Sequence, residues 1–129
     1  MTSDVNASQT TDGNTADTYR CCTVMDSGRV RIITLNQPEV GNALTPDDSH
    51  ELEQVWTEFA ARNDLWVAVI TGAGDKAFCG GHNLKRHAEG NRKSHPVSGF
   101  GGNTLRQDIM KPTIAAVNGA AMGGGSRSP

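Results

Sequence analysis

From Thr23 to Leu35 apolar and polar residues alternate, with Val30, Ile32 and Thr34 set against Arg29, Arg31 and Ile33. A period of two predicts paired strands, and Asp26-Ser27-Gly28 is the turn between them. The period then changes. Thr45-Pro46-Asp47-Asp48 reads as a helix start, with a hydroxyl N-cap, proline at the first position and acids in the first turn. Leu52, Val55, Trp56 and Phe59 follow at helical spacing, and Asn63-Asp64 ends the helix. Trp56 and Phe59 lie on that apolar stripe and are expected in the core. Val67 to Ile70 is a buried-type strand that runs into glycines, and Ile114 to Val117 is a second apolar run that breaks at Asn118-Gly119. The order is strand pair, helix, strand, glycine loop, variable segment, strand, glycine loop, which predicts an α/β fold. Residues 1–18 are rich in Thr, Asp, Asn and Ser. They hold too little apolar surface to offset ordering entropy and are expected to be a disordered polar tail.

Composition narrows the setting. A chain of 129 residues fits one small domain. Its net charge of −2 argues against a nucleic-acid surface, which needs a clustered basic face. Three cysteines, two of them adjacent at Cys21-Cys22, form no disulfide framework and fit reduced thiols in a cytosol. No apolar run approaches the ~18 residues of a membrane span, and the polar, acidic N-terminus lacks the pattern of a signal peptide. A cytoplasmic protein without nucleic-acid or membrane partners is the expectation.

The candidate chemistry lies at the glycines. Gly80-Gly81 and the triplet Gly123 to Gly125 each follow an apolar strand. Glycines after a strand let backbone N–H groups approach a ligand oxygen with no Cβ in the way, as in an oxyanion hole or a phosphate cradle. Two such junctions can supply two converging donors. A dinucleotide-binding reading of Val67-Ala-Val-Ile-Thr-Gly-Ala-Gly74 fails on context, because Ala77-Phe78 stand where a third glycine is needed and no helix opens at the glycines. Cys79, His82, His87 and His95 are a weak metal set, since a structural zinc site wants four well-placed ligands. No metal is expected, and Cys79 reads as a packed small residue.

Three segments resemble the crotonase, or enoyl-CoA hydratase/isomerase, superfamily: Arg31-Ile-Ile-Thr-Leu-Asn-Gln-Pro-Glu-Val-Gly-Asn-Ala-Leu-Thr45, Val67 to Lys85, and Lys111 to Gly125. Gly99-Phe-Gly-Gly102 resembles the family's connecting segment. The resemblance covers residues 27 to 125 and implies a crotonase-like spiral of ββα units, truncated to about its N-terminal half. On this reading residues 19–125 are a partial crotonase domain and 126–129 are a non-family tail. The resemblance implies an acyl-CoA or enoyl-CoA thioester substrate, with coenzyme A as part of the substrate rather than a separate cofactor, and a homotrimer in full-length members.

By the same resemblance the backbone N–H groups of His82 and Gly124 are the oxyanion donors. Asn42, Ala43, Leu44, His82, Asn83, Leu84 and Lys85 are the segments that hold the coenzyme. His82-Asn83 stands where the family usually has Ala-Asp. The family's first catalytic glutamate falls at position 127, which is arginine here, and its second has no counterpart. The implied function is that of an enoyl-CoA hydratase/isomerase-like protein, impaired as written. The alternative is a non-catalytic acyl-CoA-binding or oligomer-interaction fragment of the same fold. Ser126-Arg-Ser-Pro129 is also what a coding string for a family-like Phe-Glu-Val-Ala yields after loss of one base, so a frameshifted product is a further expectation.

Overall fold

The computed structural model describes residues 9–11, 14–81, 83, 96–123 and 125. Its strands are β1 (Gln9–Thr11), β2 (Asn14–Thr18), β3 (Cys22–Ser27), β4 (Val30–Leu35), β5 (Val67–Gly72), β6 (Ala77–Cys79), β7 (Thr113–Ala115) and β8 (Ala120–Ala121), with one α-helix, α1 (Pro46–Ala61). Six strands form one sheet in the order β1-β2-β3-β4-β5-β7, and β6 and β8 form a second, two-stranded sheet. The first four strands are antiparallel neighbours, whereas β4, β5 and β7 run parallel. Helix α1 is the crossover that parallel β4 and β5 require.

Two expectations change. Residues 14–18, expected within a disordered tail, form β2 and pair with β3 across five positions, and residues 9–11 pair with β2 in turn. Strand addition is satisfied by backbone hydrogen bonds, so a polar composition does not forbid it. Residues 1–8 lie outside the described residues. The β3–β4 turn is Gly28-Arg29 rather than 26–28, since Asp26 and Ser27 still pair with Arg31 and Val30.

The inward face of β4 carries Arg31, Ile33 and Leu35, and that of β5 carries Ala68 and Ile70. These pack with Val24 and with Leu52, Val55, Trp56 and Phe59 of α1 in one buried cluster. The Trp56 and Phe59 rings meet edge-on at 6.2 Å, a favoured aromatic geometry. A capping box opens α1: Asp48 N–H donates to Thr45 Oγ1 at 3.2 Å, and Thr45 N–H donates to Asp48 Oδ2 at 2.9 Å. Its far end has no basic residue in the last turn. Lys111 supplies the missing cation from elsewhere, donating to the carbonyls of Phe59 (2.6 Å) and Arg62 (2.5 Å).

Arg31 is the charged residue of the core, 1% exposed. Its guanidinium donates twice to Asp26 at 2.8 Å and once to the Val55 carbonyl at 3.1 Å, and it pairs with Glu58 at 2.6 Å. Burial by itself lowers the pKa of this guanidinium; the bonds to Asp26 and Glu58 outweigh that and raise it. Such a pair is costly to break from one side, because the other charge is left buried and alone.

The segment after residue 95 is seated on α1. Gly101 N–H donates to Ser49 Oγ at 2.9 Å and Trp56 Nε1 donates to the Gly101 carbonyl at 3.2 Å. Gly102 lies so close that a Cβ would stand 2.6 Å from the Glu53 Cα. Ser98 adds a bond to Glu53 at 2.7 Å. The segment is thereby held against the helix from both sides of Gly101.

Candidate functional site

The two glycine junctions meet beyond the ends of β5 and β6. The first is held by the loop before α1. Leu44 N–H donates to the Gly81 carbonyl at 2.8 Å and Asn83 N–H donates to the Leu44 carbonyl at 2.7 Å, so the backbone is fixed on either side of position 82. Gly80 N–H donates to the Gly41 carbonyl at 2.9 Å. Gly81 has φ +88°, a conformation that side chains with a Cβ rarely adopt.

The second junction is laid directly over the first. Strands β6 and β8 pair Ala77 with Ala120 and Cys79 with Ala121, and Met122 N–H donates to the Cys79 carbonyl at 3.1 Å. Gly125 then packs on Cys79, where a Cβ would come 2.8 Å from the Cys79 Cβ. Residues 79–81 and 122–125 are thus neighbours through backbone contacts that only glycine permits.

Two asparagines fix the β5–β6 loop between these junctions. Asn42 is buried; its Oδ1 accepts from Gln37 N–H at 2.9 Å and its Nδ2 donates to the carbonyls of Ala73 (3.1 Å) and Ala77 (3.0 Å). Asn118 mirrors it from the other side. Its Oδ1 accepts from Gly72 N–H at 3.0 Å, and its Nδ2 donates to the carbonyls of Gly74 (3.1 Å) and Ala77 (3.3 Å). The Ala77 carbonyl serves both clamps. With φ +55°, Asn42 also occupies a left-handed backbone position that asparagine tolerates better than most residues.

Of the expected coenzyme-holding residues, the structure brings Asn42, Ala43, Leu44 and Asn83 together around this backbone bridge. Asn42 uses its whole amide internally and acts on the loop, and the Leu44 side chain is core. The expected oxyanion donors His82 and Gly124, with Leu84, Lys85 and Arg127, lie outside the described residues, as do His87 and His95 of the metal set. Among the described residues no group of three or more His, Cys, Asp or Glu could hold a metal ion. Cys79 is buried, and that burial pushes its thiol pKa up, as expected of a packed thiol rather than a nucleophile.

A cleft of about 280 Å³ opens beside the clamps, lined by Pro38, Glu39, Asn42, Asp75, Lys76 and the backbone of residues 73–77. Sequence reasoning passed over Asn118 as a strand breaker and over the 73–77 loop altogether. The spacing Thr71-Gly-Ala-Gly74 followed by Asn118-Gly119 was the available signal, since a tight loop needs side-chain amides to satisfy its carbonyls.

Residues 26–127 match the sequence model of the enoyl-CoA hydratase/isomerase family. Over 100 residues the chain is 44% identical to a carnitinyl-CoA dehydratase of Proteus mirabilis, a match covering 76% of this chain and 38% of that protein. It is 38% identical over 108 residues to an (E)-benzylidenesuccinyl-CoA hydratase of Thauera aromatica, covering 77% and 40% respectively. The crystal structure of a carnitinyl-CoA hydratase from Mycobacterium avium superposes with a TM-score of 0.78 at 41% identity, over 85% of this chain and 43% of that one. The chain therefore has the crotonase fold in its N-terminal portion, as the segment resemblance predicts. It spans about two fifths of the length of the curated relatives it matches. Among the described residues no helix is long and apolar enough to cross a membrane.

Proposed function

The chain belongs to the enoyl-CoA hydratase/isomerase family, and on that premise we propose that it binds acyl-CoA thioesters and polarises their carbonyl between the backbone N–H groups of His82 and Gly124. The observation that carries this reading is the seating of Gly125 on Cys79 beside the Leu44 bridge to Gly81 and Asn83. Residues flanking both donors are thereby neighbours on a backbone frame set before any ligand arrives. Donors held in advance at a developing oxyanion are each worth about 3 kcal/mol of barrier.

In this reading Asn42 and Asn118 position the loop, Leu44 and Asn83 hold the backbone around position 82, and Leu84 and Lys85 contact the coenzyme. Relatives named for carnitinyl-CoA and benzylidenesuccinyl-CoA support a thioester substrate class. Hydration is the weak step. It needs a carboxylate acid/base where this chain has Arg127, and losing such a group costs roughly 10²–10⁴-fold. A cytoplasmic homotrimer belongs to the same proposal.

The test titrates the full chain with butyryl-CoA by calorimetry and follows crotonyl-CoA hydration in parallel. Saturable binding with turnover far below that of a full-length relative is the expected result. Absence of saturable binding overturns the reading, and fast hydration overturns the role given to position 127. The alternative of a purely binding protein is favoured by Arg127 and predicts binding with no turnover at all.

A further inference from the structure

The six-stranded sheet has one covered face and one open face. Helix α1 covers the face bearing Val24, Ile33, Ile70 and Ala115. On the opposite face Met25 pairs with Ile32, Ile32 with Val69 and Val69 with Ile114, an unbroken apolar row across four strands. Its ends are exposed, Met25 by 46% and Ile114 by 52%, and the row continues toward Val117 (58%) and Met122 (64%). Strand β7 is also the sheet edge, with one side of its backbone unpaired. Parallel strands are normally buried on both faces, and an apolar patch in this position marks a binding surface.

We infer that this face and the β7 edge are a docking surface for a second polypeptide carrying the C-terminal portion of a crotonase-fold chain. The occupant follows from what the solved neighbour holds beyond its aligned part. The M. avium protein superposes over 43% of its length, in its N-terminal portion, and the open row runs to β7 and beyond it to Met122, where the alignment runs out. The two chains together would complete the sheet and bring carboxylates that position 127 does not offer. Docking rests on the fold alone; catalysis by the pair rests additionally on the proposed oxyanion site.

The test co-expresses the full chain with the segment of the M. avium carnitinyl-CoA hydratase that follows its aligned portion. Ile114→Cys gives a direct reporter, because Cys21, Cys22 and Cys79 are all buried. The expected result is co-purification in equal amounts, maleimide labelling at position 114 slowed at least about tenfold, and loss of co-purification in Met25→Lys and Ile114→Lys. Both lysine variants lie at exposed positions and are expected to leave the free chain's circular dichroism unchanged. A segment recovered only as insoluble material, or soluble without co-purification, overturns the inference. So does co-purification that survives both lysines, or self-association of the free chain that protects position 114, which would make a second copy the occupant. Co-purification without crotonyl-CoA hydration leaves docking standing and counts against the oxyanion site.

Discussion

The two faces of the main sheet are built from the same strands, one residue apart, and meet opposite fates. Val24, Ile33, Ile70 and Ala115 lie under α1, while Met25, Ile32, Val69 and Ile114 form the open row. Side chains alternate between faces with a period of two, so register alone separates them. Apolar content does not: both rows are equally apolar. What distinguishes the covered face is directional bonding across it. Arg31 ties β4 to Asp26, to the Val55 carbonyl and to Glu58, Lys111 closes the end of α1, and Gly101 exchanges hydrogen bonds with Ser49 and Trp56. The lesson is that α1 selects its face through polar anchors set among the apolar contacts. The glycine junctions at the strand ends depend on that anchored side, since Leu44, one residue before the α1 cap, carries the bridge to Gly81 and Asn83.

The strongest break of this contrast is Trp56→Ala. It removes a fully buried ring and the bond to Gly101, and the expected loss is ~3–5 kcal/mol, read as the shift of the urea midpoint. Arg31→Ala strands Asp26 in the core and is expected to cost about 3–5 kcal/mol; Arg31→Met paired with Asp26→Leu should recover most of it, measured in the same way. Asn118→Ala tests the connection to the site. It leaves Gly72 N–H and the Gly74 carbonyl without this partner. Stability should fall by about 1–3 kcal/mol, and butyryl-CoA affinity should fall more than in Thr57→Ala, a control on the exposed side of α1. On the open face Val69→Thr is expected to stay within about 1 kcal/mol of the parent, as at positions away from packed or bonded features. A loss as large as that of Trp56→Ala would erase the contrast.

The smallest effect is one of pH. Burial, then the carboxylate of Glu58, raises the Tyr19 phenol from 10.0 to about 12. The folded chain therefore holds this proton more tightly than the unfolded one. That contribution is complete below pH 10 and is lost as the pH rises through about 12. Tyr19→Phe should flatten the fall in urea midpoint across that window.

Helix α1 was legible because its cap, its acids and its apolar stripe are all local in sequence, and the structure places each of them as read. The strand pair was legible by period, but its turn was misplaced: Ser27 still has a ladder partner in Val30, which composition cannot reveal. Strand β2 was missed because its order comes from backbone pairing to β3. Arg31 in the core was equally hidden, since its partners Asp26, Val55 and Glu58 become neighbours only after folding. At the site, the glycine doublet and triplet signalled the close approach that Gly81 and Gly125 make. The paired clamps on Ala77 from Asn42 and Asn118 lie 35 and 41 residues from it in sequence and leave no local mark.

The central claim is that a thioester carbonyl is polarised at the meeting of the two glycine junctions. Infrared difference spectroscopy of butyryl-CoA, carrying carbon-13 at the thioester carbonyl, measures that polarisation on the bound ligand. The account predicts a carbonyl stretch shifted to lower frequency on binding, with the shift lost in Gly125→Ala while circular dichroism still reports the native fold. A bound ligand whose carbonyl stretch matches that in water, or a shift that survives in Gly125→Ala, would contradict it.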